Sequence, residues 1–232
     1  MTLIEADNVT KSYRVGELSV PAIRGVSFRV EAASLAAFIG PSGSGKTTLL
    51  NMVGCLDRPD GGTLHVLDTD LSGLSRLGRA EFRGNHLGFI FQDFNLLPVL
   101  TAYENVEYPL VVVKPVPPAE RRERVMSVLE SVGIADHAGK YPDQLSGGQK
   151  QRIAVARALV TRPRLVLADE PTANLDSATA RSIIELMREM RDRYETTFVF
   201  STHDTRIVDA VEVIFELADG AIAETRRQGA AA

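Results

Sequence analysis

Residues 40–47 read Gly-Pro-Ser-Gly-Ser-Gly-Lys-Thr, directly after the apolar run Leu35–Ile39 and before a helix-like stretch at 46–56. Glycines let the backbone curl so that successive N–H groups face one concavity. The helix that follows points its positive dipole end at the same place. This order of strand, loop and helix predicts a phosphate-binding loop. The alternative is a glycine- and serine-rich turn that matches the pattern by chance, but such a turn would not need a strand before it and a helix after it.

The loop offers both backbone and side-chain groups to a triphosphate. Lys46 would neutralise the β- and γ-phosphates, and the Thr47 hydroxyl would ligate Mg²⁺. The candidate phosphate-binding residues are Gly40, Ser42, Gly43, Ser44, Gly45, Lys46, Thr47 and Thr48.

Two adjacent carboxylates end a second apolar run, Leu165–Ala168. Opposite a phosphate loop, Asp169 would hold Mg²⁺ through water and Glu170 would polarise the attacking water as general base. Acidic residues are also ordinary where a strand runs into solvent, and the phosphate loop decides in favour of the catalytic interpretation.

A second glycine motif, Leu-Ser-Gly-Gly-Gln at residues 145–149, opens another helix-like stretch. Ser146 and Gln149 have the spacing of a capping box. A cap alone does not explain Gly147 and Gly148, since each glycine costs a helix interior up to about 1 kcal/mol relative to alanine. Glycines are expected where a ligand approaches bare backbone, so the motif predicts a second phosphate-binding site at a helix N-terminus.

Hydrophobicity along the chain predicts an α/β fold. Continuous apolar runs favour strands that are covered on both faces, as in a mostly parallel sheet. These runs are Leu35–Ile39, Phe89–Phe91, Leu165–Ala168 and Phe198–Phe200, and the helix-like stretches lie near 46–56, 118–132, 146–160 and 177–193. Shorter strand-like pieces near the N-terminus, Leu3–Val9, Ala22–Val30 and Thr63–Leu67, predict an antiparallel β layer against that sheet.

The middle of the chain is mostly helical in pattern, so we expect a helical insertion in the α/β core. A capping box at Thr101 and Glu104 begins one helix, and Pro117-Pro118 precedes another. The prediction is a single domain over residues 1–232, with the core at about 1–92 and 157–232 and the helical subdomain at about 93–156.

Composition argues against nucleic acid as a partner and indicates the cellular compartment. The 26 Lys and Arg residues against 30 Asp and Glu residues give a net charge of −4, so no overall positive field recruits nucleic acid. The single cysteine, Cys55, fits a reducing compartment. The acidic opening segment does not resemble a secretion signal, and no apolar run reaches the ~18 residues of a membrane helix. These features predict a soluble chain in the cytoplasm.

A phosphate loop, then Leu-Ser-Gly-Gly-Gln, then a strand that ends in Asp-Glu resembles the nucleotide-binding subunit of an ABC transporter. The resemblance spans about residues 2–225 and implies a P-loop NTPase core that binds and hydrolyses ATP with Mg²⁺. It also implies a homodimer in which two subunits enclose two ATP molecules head to tail. Each Ser146, Gly147, Gly148 and Gln149 would then complete the partner's site.

Other positions match the family residue by residue. Tyr13 matches the aromatic residue that stacks on adenine, and Gln92 matches the glutamine that contacts Mg²⁺ or water and senses the membrane partner. Asp176 matches the loop that links the two sites across the dimer, and His203 matches the histidine on the γ-phosphate. In isolation, Tyr13 could be a half-buried strand residue and His203 a structural histidine.

Residues 86–110 are similar to the branch that serves lipoprotein release, macrolide export and antimicrobial-peptide resistance. This implies a separate integral membrane permease, contacted near Gln92 and residues 93–110, at the cytoplasmic face of a bacterial or archaeal inner membrane. The apolar residues past Gln92 could equally pack within the helical subdomain. The expected function is export or extraction of a substrate from the membrane. The alternative is an ATPase that signals across the membrane to cell-wall remodelling enzymes.

Overall fold

The structure is a computed structural model, and it describes residues 1–228. Its strands are β1 (Thr2–Val15), β2 (Leu18–Glu31), β3 (Leu35–Ile39), β4 (Gly61–Val66), β5 (Thr69–Asp70), β6 (Leu87–Ile90), β7 (Leu165–Asp169), β8 (Thr197–Thr202), β9 (Val213–Ala218) and β10 (Ala221–Arg227). Its helices are α1 (Lys46–Val53), α2 (Arg76–His86), α3 (Ala102–Val112), α4 (Pro118–Ser131), α5 (Gly147–Leu159), α6 (Ser177–Tyr194) and α7 (Thr205–Val208).

The central sheet confirms the predicted mostly parallel α/β core. Its order is β10-β9-β3-β8-β7-β6, with parallel pairing from β9 to β6 and antiparallel pairing only at the β10 edge. Strands β3, β7 and β8 are buried along almost their whole length, which explains their continuous apolar sequence. Because parallel strands end at one edge, the sheet brings the residues that follow β3, β6, β7 and β8 to the same side of the molecule.

The predicted N-terminal antiparallel layer is also confirmed, in the order β2-β1-β4-β5. Three rings join it to the central sheet: Phe28 on β2, Phe38 on β3 and Phe215 on β9, with centroids 5.1 to 5.5 Å apart. Such close aromatic packing fixes the layer against the strand that leads into the phosphate loop.

Helices α3, α4 and α5 form the helical insertion. The capping box at Thr101 and Glu104 is present, and Pro118 occupies the first turn of α4 as predicted. The buried Asn105 side chain bonds the backbone of Leu97, Leu100 and Thr101, which fixes the segment before α3.

The subdomain limits remain a prediction, and two facts bear on them. The expected end at residue 156 falls inside α5, which continues to Leu159. The last residues of the predicted domain, 229–232, lie outside the described part of the chain.

Several elements differ from the sequence-based expectation. Helix α2 was missed because it is strongly polar and buries only Phe82. Strand β10 was missed because it is mostly exposed at the sheet edge, and its partner β9 was missed with it. The run at Phe89–Phe91 begins and ends earlier, as β6 (Leu87–Ile90). Within residues 1–228, none of the helices has the length and hydrophobicity required to span a bilayer.

Candidate functional site

The phosphate loop depends on glycine backbone geometry. Gly40, Gly43 and Gly45 all have positive φ. A Cβ atom at Gly40 would lie 2.3 Å from the Leu217 carbonyl oxygen, and one at Gly45 would lie 2.6 Å from the Ile23 side chain. The loop therefore packs against both sheets with a backbone that other residues would strain.

Two side chains of the loop are available to an anion. Lys46 Nζ donates to the carbonyl oxygens of Gly40 and Pro41 at 2.8 and 3.0 Å, so the buried lysine closes over its own loop. The Ser44 hydroxyl is buried and has no hydrogen-bond partner within residues 1–228. A buried polar atom without a partner is costly. A phosphate oxygen in the concavity would satisfy Ser44 and replace the carbonyls at Lys46.

The structure brings the two predicted magnesium residues of the loop and of β7 together. Thr47 Oγ1 lies 3.2 and 3.4 Å from the two carboxylate oxygens of Asp169. Mg²⁺ prefers such oxygen ligands and usually takes only one or two carboxylates beside substrate phosphates and water. Thr47 and Asp169 therefore fit Mg²⁺. Gln92, the third predicted residue, follows β6 at the same sheet edge, and its side chain is exposed.

Glu170 and His203, the predicted catalytic pair, are in direct contact. Glu170 Oε1 lies 2.8 Å from His203 Nδ1, while Oε2 accepts hydrogen bonds from Thr202 Oγ1 at 3.1 Å and the His203 backbone N–H at 3.4 Å. Glu170 itself has a φ of +46°, a left-handed conformation that turns the chain immediately after β7. His203 was expected on the γ-phosphate; in this structure it orients the carboxylate of Glu170.

The second glycine motif begins α5 with a complete capping box. Ser146 Oγ accepts from the Gln149 backbone N–H, and Gln149 Oε1 accepts from the Ser146 backbone N–H. Gln149 Nε2 lies 3.1 Å from His137 Nε2. Since Gln149 Oε1 already accepts from Ser146, its amide nitrogen is the donor to His137. The motif is thus held rigidly, with Gly147 and Gly148 in its first turn.

Asp176 occupies the N-cap of α6. Its Oδ1 accepts from the backbone N–H groups of Ala178 and Thr179 at 3.0 Å, and its Oδ2 from the Thr179 hydroxyl. The hydrogen bonds from Thr179 lower the pKa of the Asp176 carboxyl. Asp176 therefore shapes the start of α6 in one subunit, and its expected link across a dimer stays a prediction.

Tyr13 lies on β1. Its hydroxyl donates to Oδ2 of Asp57, a residue just past the end of α1, at 2.7 Å. The residue remains 39% exposed, as a stacking platform would require.

Comparison with known proteins decides the family. The family model described as "ABC transporter" matches residues 23–173, which include the phosphate loop, the second glycine motif and the Asp169–Glu170 pair. The chain belongs to the ABC transporter family.

Relatives and solved structures of this family match nearly the whole length of the chain. It is 44% identical over 230 residues to the lipoprotein-releasing system ATP-binding protein LolD of Anaeromyxobacter dehalogenans, covering 98% of this chain and 96% of LolD. It is 43% identical to the macrolide export ATP-binding/permease protein MacB of Rhodopirellula baltica, covering 98% of this chain but only 34% of MacB. The dimeric post-hydrolysis structure of the cassette MJ0796 with ADP and Pi superimposes with a TM-score of 0.89 at 38% identity, covering 98% of this chain and all of that one. The chain is therefore an ABC ATPase cassette.

One arginine of this ABC cassette, missed from sequence, holds the segment after Gln92. Arg157 on α5 donates from Nη1 to the Asn95 carbonyl at 2.5 Å and from Nη2 to the Phe94 carbonyl at 2.6 Å. Asn174 Nδ2 donates to the Gln92 carbonyl at 3.0 Å. The segment is thus fixed from two elements. An arginine within the otherwise apolar stretch Ile153–Val160 was the available signal, and burial lowers the pKa of its guanidinium.

Gly148 has a packing role in addition to the ligand-binding role that the sequence predicts for both glycines of the motif. A Cβ atom at Gly148 would lie 2.5 Å from Thr179 Cγ2, and one at Gly147 would lie 3.3 Å from Leu175. Gly148 is therefore required at least for the close packing of α5 on α6.

We expect Gly148→Ala to lower the free energy of unfolding by about 1–3 kcal/mol, because the added methyl overpacks the α5–α6 contact. Thr179→Ser removes the opposing methyl and keeps the hydroxyl that binds Asp176, so the double variant should recover most of the loss. Urea unfolding of the two single variants and the double variant checks this. Equal destabilisation with and without Thr179→Ser would contradict the packing explanation.

Proposed function

We propose that this chain binds Mg-ATP and hydrolyses it as one half of a head-to-tail dimer, and that hydrolysis drives a separate membrane permease in export or membrane extraction of a substrate. The observation that carries the proposal is the convergence of Thr47 with Asp169, and of Glu170 with His203, at one sheet edge beside the phosphate loop. Binding groups and a base thus meet where a γ-phosphate would lie.

The side chains supply the chemistry of phosphoryl transfer to water. Lys46 transfers its hydrogen bonds from loop carbonyls to phosphate oxygens, and Glu170 orients the attacking water and takes its proton. The Nδ1–H of His203 and the hydroxyl of Thr202 keep the Glu170 carboxylate in place. Mg²⁺, when bound by Thr47 and Asp169, neutralises charge on the phosphate oxygens. Gln92, at the same edge, is proposed as a further contact to Mg²⁺ or its water.

The second glycine motif is proposed to contact ATP that is bound by a partner subunit. Ser146 and the backbone amides of the first turn lie at the N-terminus of α5, a helix of 13 residues. Helix N-termini of this kind bind anions. The MJ0796 structure that resembles this chain is dimeric. We therefore assign Ser146, Gly147, Gly148, Gln149 and Asp176 to the ATP bound by the opposite subunit, with two-fold symmetry producing two equal sites.

A groove between the α/β core and the helical insertion suits a helix of the permease. This subdomain groove has a volume of about 390 Å³ and is lined by, among others, Arg83, Phe89, Phe91, Pro109, Val113 and Arg157. Leu97 and Val99 follow Gln92 closely in the sequence, and both side chains are exposed. Apolar surface of this kind marks interaction sites. Because Arg157 joins the groove to the segment after Gln92, an occupant of the groove would act directly on that segment.

Relatives named for macrolide export and lipoprotein release favour transport over signalling to cell-wall enzymes. A permease partner places the cassette at the cytoplasmic face of the membrane, where ATP is available. We propose this location together with the permease and its transported substrate.

We expect the full chain, purified from its native membranes, to retain a permease with four membrane helices and a large external domain. Val113→Glu places a charge in the subdomain groove and should reduce the retained permease severalfold. Val15→Glu, an exposed valine at the β1–β2 tip, is the matched control and should retain it. Quantitative mass spectrometry of the three preparations provides the measurement. A six-helix permease would contradict the proposed branch, and equal retention by both variants would contradict the groove.

A further inference from the structure

Asp57 is the centre of a small ionic cluster beside Tyr13. Its Oδ2 accepts the Tyr13 hydroxyl at 2.7 Å, its Oδ1 lies 2.9 Å from Lys11 Nζ, and Oδ1 also accepts the Arg58 backbone N–H at 2.7 Å. Asp60 pairs with the same Lys11 at 3.3 Å and accepts from the Ser12 backbone N–H at 2.7 Å. Asp57 therefore binds the tyrosine, whereas Asp60 binds Lys11 and Ser12 on β1.

The cluster is tied to the phosphate loop through α1. The loop ends where α1 begins, and Asp57 follows the end of the same helix. The backbone N–H groups of Leu56 and Asp57 both bond the Asn51 carbonyl, at 2.8 and 3.2 Å, so the turn that carries Asp57 is fixed to α1. One helix, α1, thus connects the phosphate loop at its start to the anchor of the ring just after its end.

The ring of Tyr13 has one face occupied and the residue is still accessible. Lys11 Nζ lies 5.4 Å from the ring centroid, and Lys11 is itself buried, so it covers one face. With the hydroxyl anchored at Asp57 and Lys11 against one face, the plane of the ring is defined, and the exposed part of the residue is available to a planar base.

We propose that Asp57 is a positioning residue for the nucleotide base: by holding the Tyr13 hydroxyl, it fixes the ring in the plane that stacks on adenine while the phosphate loop holds the triphosphate. This rests on the proposed binding of ATP and deepens it at the base. Within residues 1–228, the side chains of Lys46, Thr47 and Ser44 have no hydrogen bond to the cluster, so its contribution concerns the base and not the triphosphate.

The charge distribution agrees with a permanently ionised anchor. Burial of Asp57 opposes ionisation, but hydrogen bonds from Tyr13 and Lys11 outweigh it and lower the pKa of the carboxyl. Burial and the bond to Asp57 raise the pKa of the Tyr13 phenol, so it stays a neutral donor. Donor and acceptor therefore keep their roles across the pH range of an ATPase assay.

The test is a double-variant comparison with two ligands. Tyr13→Phe keeps the ring and removes the hydroxyl, and Asp57→Ala removes the carboxylate that accepts from it. We expect each to raise the KM for ATP about three- to tenfold with kcat within twofold, and the KM of Tyr13→Phe/Asp57→Ala to be no higher than that of the weaker-binding single variant. Asp60→Ala is the matched control and should leave the KM unchanged. Binding of inorganic tripolyphosphate, which has no base, should be the same in all variants.

Tyr13→Ala separates this inference from the function beneath it. Loss of stacking should weaken ATP about tenfold or more. If Tyr13→Ala leaves ATP affinity unchanged, the base does not bind at Tyr13 and that part of the proposed function is wrong. If Tyr13→Ala weakens ATP binding but Tyr13→Phe and Asp57→Ala do not, the stacking platform stands and the anchoring by Asp57 is overturned. Equal weakening of ATP and tripolyphosphate binding by Asp57→Ala would show a general effect on α1 and would also overturn it. If Asp57→Ala does not fold, Tyr13→Phe removes the same bond and decides alone.

Discussion

Glu170→Gln is expected to reduce steady-state ATP hydrolysis by at least about a hundredfold while ATP binding is retained, because an amide cannot take the proton of the attacking water. The substitution preserves shape, and the amide oxygen can still accept from Thr202, so the sheet edge should not rearrange. Since hydrolysis is the step that reopens the proposed dimer, the variant should accumulate as an ATP-dependent dimer.

Three measurements check this expectation: phosphate release, equilibrium binding of ATP, and size-exclusion chromatography with and without Mg-ATP. Glu189→Gln, an exposed glutamate on α6, changes charge equally away from the site and serves as the control. Near-normal turnover by Glu170→Gln would remove Glu170 as the base and leave His203 as the next candidate, because the two side chains are in contact.

The second large effect is expected at Ser146. Ser146→Arg fills the N-terminus of α5 with a long cation and should abolish turnover, while binding of ATP to the single subunit survives. The loss of a helix cap costs about 1 kcal/mol, which a folded domain tolerates, so a stability measurement should show a native protein. Ser146→Asp keeps a capping residue but adds a negative charge towards phosphate, and it should fail in the same way.

Mixing variants tests whether Ser146 acts on the partner's ATP. In a head-to-tail dimer, a subunit with Lys46→Ala paired with a subunit carrying Ser146→Arg contains one site with both substitutions and one site with neither. Measurable turnover should therefore return when two inactive preparations are mixed. If the mixture stays inactive while the variants still dimerise, Ser146 acts within its own subunit and the proposed arrangement is wrong.

The sequence predicted the parts of the site that are encoded locally. Lys46, Thr47 and the three positive-φ glycines lie in one short segment, so their pattern, between an apolar strand and a helix, indicates a phosphate loop. Asp169 and Glu170 end a continuous apolar strand, and parallel strands end at one edge, so their proximity to the loop followed from topology. Spacing of this kind reflects backbone geometry, which nearby residues determine.

Contacts between distant side chains could not be predicted in the same way. Tyr13 and Asp57 are 44 residues apart, and Arg157 and Phe94 are 63 residues apart, so only the packing of separate elements brings them together. Gly148 shows the same limit: its motif suggested a ligand, whereas the methyl of Thr179 on another helix also demands a glycine. The polar α2 and the exposed β10 were missed because they carry few apolar residues: α2 buries only Phe82, and β10 has no fully buried residue.

Helix α5 carries Ser146 at its N-terminus and Arg157 near its C-terminus, where the guanidinium holds the segment after Gln92. In the proposed dimer, the first end would serve the neighbour's nucleotide, while the second is fastened to the subunit's own permease-facing segment. A rigid helix cannot tilt at one end only. A movement of the permease-facing segment would therefore also move Ser146 and the N-terminus of α5 relative to the ATP of the opposite subunit. The two subunits would then be coupled through α5 itself, without a further element between them.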